Sequence, residues 1–202
     1  MHLESVRLIQ YKNYKQAQVS FSPQVNCFLG ENGSGKTNLL DAIFYLAFTK
    51  SADQALDMQC IFHNEDFFSI KGEFKVEEKK RVVLGAYQKG KKKQIKLDDK
   101  PYKKVSEHIG KFPTVLIAPN DTDVIRGASE DRRKFFDAII SQVDQGYLNN
   151  LIAYNHVLKQ RNSLLKQFAE QDRFDSDLLE PFTEKLVELG TKVHEVRSSF
   201  IE

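Results

Sequence analysis

The sequence predicts an α/β protein with an added helical part, and three observations carry this prediction. The pattern G-x-x-x-x-G-K-[ST] occupies residues 30–37, between an apolar run and a helix-like run. Short segments of alternating apolar residues follow at 70–97, joined by charged or glycine-containing turns, which is typical of an antiparallel β-meander. From Leu148 onward, apolar residues recur at three-four spacing, which predicts long packed helices.

Residues 30–37 have the composition of a phosphate-binding loop. Glycines allow close approach of the backbone, so that successive N–H groups can turn toward an anion. Lys36 would neutralise the β and γ oxygens of a triphosphate, and the Thr37 hydroxyl would bind Mg2+. The alternative is a glycine-rich turn that only joins a strand to a helix. The predicted nucleotide ligands are Gly30, Glu31, Asn32, Gly33, Ser34, Gly35, Lys36, Thr37 and Asn38.

Composition bounds the class of protein. The 202 residues, 41% hydrophobic and 29% charged, suffice for one α/β core, or for one domain with a projecting subdomain. No apolar run approaches the length of a membrane span, and Met1 leads directly into a strand pattern, so we expect a cytoplasmic protein with no membrane partner. Cys27 and Cys60 are too few for a metal cluster or a disulfide framework, and Cys27 is expected to be buried in a strand.

Positive charge is concentrated in one segment. The formal net charge is only +2, but residues 79–104 contain eleven Lys or Arg and two acids, so this window carries +9 and the remainder −7. The charge peaks at Lys91, Lys92 and Lys93. Such a run fits either a solvated hairpin or a sequence-independent contact with the phosphate backbone of DNA, and both interpretations stay open.

The remaining patterns complete the predicted element order. Asp41 would lie in the first turn of the helix after the loop. Ser129 would cap the helix at 130–143, and Arg132 and Arg133 would lie in its first turn, at the exposed edge. Asp121 follows an apolar run as a candidate Mg2+ ligand, although Pro119 breaks that run first. The predicted strands are 2–10, 19–21, 25–29, 70–76, 81–87, 94–97 and 112–118; the predicted helices are 38–49, 130–143 and a heptad hairpin joined near 171–175, with Pro181 in the first turn of its second helix.

Four segments, in order, resemble the RecF family, bacterial recombination and gap-repair ATPases of the SMC-like branch of ABC ATPases. Tyr11-Lys12-Asn13-Tyr14 is similar to the family's Phe-Arg-Asn-Tyr. The second segment is the phosphate loop with the residues that follow it. The other two are Ala118-Pro119-Asn120-Asp121 and the run Arg-Gly-Ala-Ser-Glu-Asp-Arg-Arg-Lys-Phe-Phe-Asp at 126–137.

The resemblance implies a fold, a function and partners. It implies an ABC-type ATPase head in which residues 1–145 form the ATP-binding lobe and 146–202 a coiled-coil-like helical arm, incomplete at its C-terminus. It places Asn120 and Asp121 at the loop that senses the γ-phosphate. Family members bind ATP and Mg2+, dimerise on DNA at single-strand/double-strand gaps, and act with RecO and RecR in DNA replication, DNA repair and the SOS response to DNA damage.

Departures from the family pattern limit this expectation. Lys12, Asp41 and Ala128 replace the family's Arg, Glu and Pro. The Ser-x-Gly-Gln signature and the Walker B strand ending in paired acids are absent, so the chain resembles an N-terminal portion and no catalytic residue is predicted. In ABC heads the signature of a second subunit completes the site, so slow hydrolysis is expected only of the full-length dimer.

Two other functions are compatible with a phosphate-binding loop. A kinase for a small metabolite would need an acceptor pocket and a lid, whereas this chain offers heptad helices. A DNA-binding or scaffold module with a non-hydrolysing nucleotide site remains open as the alternative.

Overall fold

A computed structural model describes residues 1–53 and 55–201, with only the backbone described at positions 119, 120, 123 and 125. The chain divides into two compact units, Met1–Leu116 and Ile117–Glu202. The functional division predicted from the sequence, 1–145 and 146–202, remains a prediction. Within the described residues, no helix combines the length and the apolar character needed to cross a membrane.

The first unit is built on one antiparallel sheet of six strands, with the spatial order β2-β1-β3-β4-β5-β6. The β-meander expected from residues 70–97 is confirmed, because β3, β4 and β5 pair in sequence order. Each run of the meander predicted its strand to within three residues, whereas the strand predicted at 19–21 begins five residues earlier, at Tyr14. The strands are β1 (His2–Tyr11), β2 (Tyr14–Ser20), β3 (Phe67–Val76), β4 (Lys79–Gln88), β5 (Gln94–Leu97) and β6 (Lys100–Pro101).

Helix α1 (Lys36–Phe48) covers one face of this sheet. Its middle residues pack on an aromatic cluster, in which the rings of Tyr45 and Phe68 lie 5.4 Å apart and those of Tyr11 and Phe68 5.1 Å apart. Two glycines of the sheet make room for the helix. A Cβ on Gly72 would lie 2.4 Å from Leu46 Cδ1, and one on Gly85 would lie 3.1 Å from Tyr45 Cε1.

Two predicted strands are wrong. Residues 25–29 and 112–118 are irregular, since no described strand pairs with either segment. Several apolar side chains there are exposed, including Leu29 at 93% and Val115 at 82% of their surface, although Phe112 is buried. The burial expected for Cys27 is also wrong, because its thiol is exposed.

The second unit is helical. After a 3-10 turn (Pro119–Thr122) come α2 (Asp123–Arg126), α3 (Ser129–Val143), α4 (Gln145–Glu170) and α5 (Ser176–Ile201). The predicted helical hairpin is confirmed, because α4 and α5 pack together across a five-residue connection, residues 171–175. Arg161, which interrupts the apolar spacing, donates from Nε to Thr183 Oγ1 at 3.3 Å on the facing helix.

Two local predictions in the second unit are corrected. Ser129 does not cap α3, because the N-cap is Ala128, whose side chain cannot form a capping hydrogen bond. Pro181 lies inside α5 rather than in its first turn, since the helix begins at Ser176. The three long helices are tied together by Arg197, which donates to both carboxylate oxygens of Asp137 at 2.8 Å, while the Tyr147 hydroxyl donates to the same carboxylate.

Candidate nucleotide-binding site

The phosphate loop is irregular up to Gly35, and α1 begins at Lys36, two residues earlier than the sequence predicted. Gly35 has φ 103°, in the left-handed region that favours glycine. A Cβ at this position would also lie 2.7 Å from Asn13 Nδ2 and 2.9 Å from the Tyr14 hydroxyl oxygen. Backbone conformation and lack of space together therefore select glycine immediately before the helix.

The N-terminal end of α1 is open. The first N–H groups of a helix have no intrahelical acceptor, and among the described residues no side chain caps Gly35. The loop itself contains one backbone hydrogen bond, from Ser34 N–H to Glu31 O at 3.3 Å. The helix dipole adds partial positive charge at the same point, so this end of α1 is suited to an anion.

Lys36 folds over the loop. Its ammonium donates to the carbonyl oxygens of Gly30 at 2.8 Å and Glu31 at 2.7 Å. An ammonium has three N–H donors, so one remains for a phosphate oxygen. Thr37 is exposed at the same end of the helix, where its hydroxyl can ligate a cation. These residues fit a nucleoside triphosphate with Mg2+. The triphosphate would supply the bond to be cleaved, and Mg2+ would neutralise the negative charge of the phosphates.

The side chains of Glu31, Asn32 and Ser34 are exposed around the loop, and Gly33 is exposed with φ 83°. Asn38, the last predicted ligand, instead donates from Nδ2 to Asn13 Oδ1 at 2.8 Å. The predicted ligands from 30 to 38 are thus brought together at one end of α1, as their contiguity in the sequence requires.

Sequence reasoning missed the turn between β1 and β2 as part of this site. The Tyr14 hydroxyl donates to the carbonyl oxygen of Gly35 at 3.1 Å, next to the bond between Asn13 and Asn38. The turn therefore contacts the junction of the loop and the helix. Its motif was visible in the sequence, but a motif in a turn does not indicate which distant segment the turn will contact.

Asp41 lies in the second turn of α1, not in the first turn as predicted. Its carboxylate is buried and accepts hydrogen bonds from the Tyr11 hydroxyl at 2.6 Å and from Ala52 N–H at 2.6 Å. It also pairs with Lys12 Nζ at 2.7 Å. Ser51 Oγ lies 2.8 Å from Asp41 Oδ2 and 2.5 Å from Asp53 Oδ1, so its one proton is shared between the two acids. The acid is therefore held by tertiary contacts rather than by the helix dipole.

The ionisation of these groups follows from their contacts. Burial disfavours the charged form of Lys12, but its bonds with Asp41 and Asp53 outweigh this effect and raise the pKa of the ammonium. Partial burial likewise acts to raise the pKa of Asp53, whereas hydrogen bonds from Ser51 and Lys12 lower it to about 2. Burial and the neighbouring Asp41 raise the pKa of Tyr11, which therefore stays a hydrogen-bond donor.

The three lysines of the basic turn are not equivalent. Lys93 donates to Thr49 O at 2.7 Å, pairs with Asp57 at 3.2 Å and lies 5.9 Å from the centre of the Tyr45 ring. Lys91 and Lys92 are exposed, and no ion pair of theirs is found within the described residues. Lys93 therefore supports the fold, whereas the other two ammonium groups face solvent.

Residues predicted elsewhere have local contacts. Asp121 accepts the Ala118 N–H at 2.7 Å, so this carboxylate is engaged with its own turn. The side chain of Asn120 lies outside the described residues. Arg132 donates to Gly127 O at 3.3 Å, and Arg133 is exposed. Over the described ranges, no group of three or more His, Cys, Asp or Glu side chains is arranged to hold a metal ion.

A family profile described as an AAA domain matches residues 5–198. The chain therefore belongs to the AAA-domain family. The RecF protein of Flavobacterium johnsoniae, named a DNA replication and repair protein, is 46% identical over 202 residues, which are 100% of this chain and 56% of the relative. The resemblance to RecF is thus confirmed, and the chain spans about half the length of the curated relatives it matches.

Solved structures confirm the predicted fold class, an α/β P-loop head of the ABC type. A structure described as the recombination mediator protein RecF-ATP of the RecFOR pathway superposes with TM-score 0.91 at 32% identity, covering 98% of this chain and 53% of that one. A structure from work on ATP-driven dimerization of SMC ATPases has TM-score 0.54 at 22% identity, covering 69% of this chain and 99% of that one. The second likeness concerns the fold alone.

Proposed function

We propose that this protein binds ATP with Mg2+ in the loop Gly30–Thr37 and belongs to an ATP-dependent DNA-repair machine. Lys36 and the N–H groups at the start of α1 hold the phosphates, and Thr37 holds Mg2+. The observation that carries the proposal is the uncapped end of α1 beneath a lysine that keeps one donor free. The RecF-ATP structure, the more similar of the two described above, supports the choice of ATP.

Titration with the fluorescent analogue mant-ATP tests this site. We expect Lys36→Ala to weaken binding at least tenfold, because a charge-assisted contact with the phosphates is lost. Lys15→Ala is the matched control, since Lys15 is an exposed lysine of the same unit, on β2. Equal affinity for the wild type and Lys36→Ala would remove Lys36 from the list of phosphate ligands.

The proposed role of ATP is to hold two heads together on DNA. Two heads dimerise around bound ATP on DNA, and slow hydrolysis by the full-length protein releases them. The Walker B and signature motifs are absent from these 202 residues. Hydrolysis is therefore assigned to the complete dimer, and these residues are expected to bind nucleotide weakly at best, with no turnover of their own.

DNA at single-strand/double-strand gaps is the proposed substrate, with RecO and RecR as partners. The DNA-repair names of the relatives support this assignment. Lys91, Lys92 and Lys93 are the proposed phosphate-backbone contacts. The exposed pair Lys91 and Lys92 carries the larger share, because the ammonium of Lys93 is already bound to Thr49 and Asp57.

Fluorescence anisotropy with a gapped DNA duplex tests the basic turn. Lys91→Ala/Lys92→Ala should lower the slope of log K against log salt by about 2, one for each lost phosphate contact. Lys185→Ala/Lys192→Ala is the control, because it removes two charges that are already paired with Glu188. An unchanged slope would leave the run as a solvated hairpin. Binding that is indifferent to ATP would favour the alternative, a DNA-binding or scaffold module.

A further inference from the structure

The carboxylate of Asp41 connects three segments of the first unit. Its side chain is 5% exposed and lies one helical turn beyond Thr37. Tyr11 and Lys12 reach it from the turn between β1 and β2, and Ser51 and Ala52 reach it from the segment after α1. These protein groups take the place of water around the carboxylate.

The same turn is fixed to the rest of the unit. Lys12 N–H donates to Cys60 O at 2.7 Å, and Phe62 N–H donates to Gln10 O at 2.7 Å. Beyond Lys12, the turn contacts α1 a second time, through the bond of Asn13 with Asn38 and the bond of Tyr14 with Gly35. The turn thus touches α1 at two levels, the loop junction and the buried acid.

Stability alone does not account for a buried ion pair. Removing two charges from water costs energy that their attraction often only offsets, and apolar residues of the same volume would stabilise the core as well or better. A bidentate acceptor with directional donors does something that apolar packing does not. It defines the rotation of α1 about its axis and its position along the axis, and both determine where Lys36 and Thr37 lie.

We propose that Asp41, held by Lys12 and Ser51, is a positioning residue that sets the phosphate loop in its binding geometry through α1. This inference rests on the proposed nucleotide site. It acts through geometry, since misplacement of ligating groups by about 1 Å is sufficient to weaken binding severely. Asp41 itself does not touch the nucleotide.

The test compares two matched acids. Asp57 also accepts a tyrosine hydroxyl, that of Tyr45 on α1, at 2.8 Å, and also pairs with a lysine, Lys93, at 3.2 Å. Asp41→Asn and Asp57→Asn therefore each disturb an acid that binds one tyrosine hydroxyl and one lysine, at different levels of α1. Each variant is measured for its melting temperature, for mant-ATP affinity well below that temperature, and for amide hydrogen exchange.

We expect Asp41→Asn to weaken mant-ATP binding about tenfold and to speed exchange of the Leu39 and Leu40 amides, the first in α1 with intrahelical acceptors, while β3 amides stay protected. Asp57→Asn should lower the melting temperature comparably and leave the affinity within twofold. Lys12→Met should weaken binding like Asp41→Asn, whereas Lys12→Arg, which keeps the charge, should stay within threefold of the wild type.

Equal affinity of folded Asp41→Asn and wild type would overturn the proposal and leave Asp41 as a structural residue only. If Asp41→Asn does not fold, Tyr11→Phe decides, because it removes the hydroxyl that donates to Asp41 and keeps the ion pair. A two- to fourfold loss of affinity is then expected, and no loss refutes the proposal. Failure of the nucleotide site itself is distinguished by Lys36→Ala, which would then bind like the wild type.

Discussion

The two ends of α1 are held in different ways. At the back end, residues 45–49, side chains bind two of the terminal carbonyl groups: His108 Nε2 donates to Leu46 O at 2.6 Å, and Lys93 Nζ donates to Thr49 O at 2.7 Å. At the front end, residues 35–39, no described side chain caps the helix, and Thr37 is exposed. One helix is therefore closed at one end and open at the other.

This difference shows how the fold separates stability from binding. Buried side chains and satisfied carbonyl groups hold α1 on the sheet, so the first N–H groups of the front end need not be used to hold it. These N–H groups can stay available for a ligand because they are exposed, and water then serves as their hydrogen-bond acceptor. Buried N–H groups without an acceptor would instead lower the free energy of unfolding. Substitutions at the two ends should accordingly affect different measurements.

The largest effect is expected at the back end, from Leu46→Ala. Leu46 is 1% exposed and lies over Gly72, so truncation leaves a cavity that the sheet cannot fill. We expect a loss of about 2–5 kcal/mol in the free energy of unfolding, measured by urea denaturation. Leu40→Ala is the control on the same helix, because Leu40 is 42% exposed, and it should cost less than about 1 kcal/mol. Equal losses would contradict the burial of Leu46 against the sheet.

At the front end, Gly35→Ala should cost about 1–3 kcal/mol, because the residue must keep φ 103° and its Cβ meets Asn13. Gly33→Ala separates the two causes. Its φ is also positive, at 83°, but a Cβ there has no neighbour within 4 Å. The smaller loss is therefore expected for Gly33→Ala in the same urea experiment. A larger loss at Gly33 would mean that crowding by Asn13 does not matter.

Much of this architecture could be predicted from local patterns. The strands of the meander and the helical hairpin follow from periodicity and turn residues, which are properties of neighbours in the sequence. The phosphate loop is equally local, since its ligands are consecutive. These are the parts of the fold and of the site that the prediction located correctly.

The failures concern what distant segments do. Residues 25–29 have the apolar character of a buried strand, yet a strand also needs a partner, and the described chain offers none. The role of Asp41 depends on Tyr11, Lys12 and Ser51, which no pattern around Asp41 reveals. Likewise, a run of lysines does not show that Lys93 turns inward to Asp57 while its neighbours face solvent.

Folding stability should also depend on pH, through His108 at the back end. Leu46 O can only accept, so His108 Nε2 carries the proton and Nδ1 faces the Tyr102 hydroxyl at 3.3 Å. Burial lowers the pKa of this imidazole below 6.5, and nearby Lys111 acts in the same direction. The unfolded chain thus binds the proton more readily, so stability is complete above about pH 6.5 and declines as the pH falls below it.

The decline approaches at most about 1.4 kcal/mol per pH unit, the limit for one proton. Urea unfolding between pH 7.5 and 5 measures it, with His108→Gln as the comparison. This variant should start less stable and lose the part of the slope that belongs to His108. An identical slope in both proteins would mean that His108 is not the titrating group.

The smallest effect is expected in the apolar run that leads into the phosphate loop. Leu29 is 93% exposed, so Leu29→Ser removes no buried surface and should change the free energy of unfolding by less than about 0.5 kcal/mol. The same substitution at a fully buried position of β1, Leu8→Ser, is the comparison and should cost much more stability. A loss above 1 kcal/mol for Leu29→Ser would mean that this run is packed in solution. The exposed region at the front end would then consist of the loop alone, without the segment that precedes it.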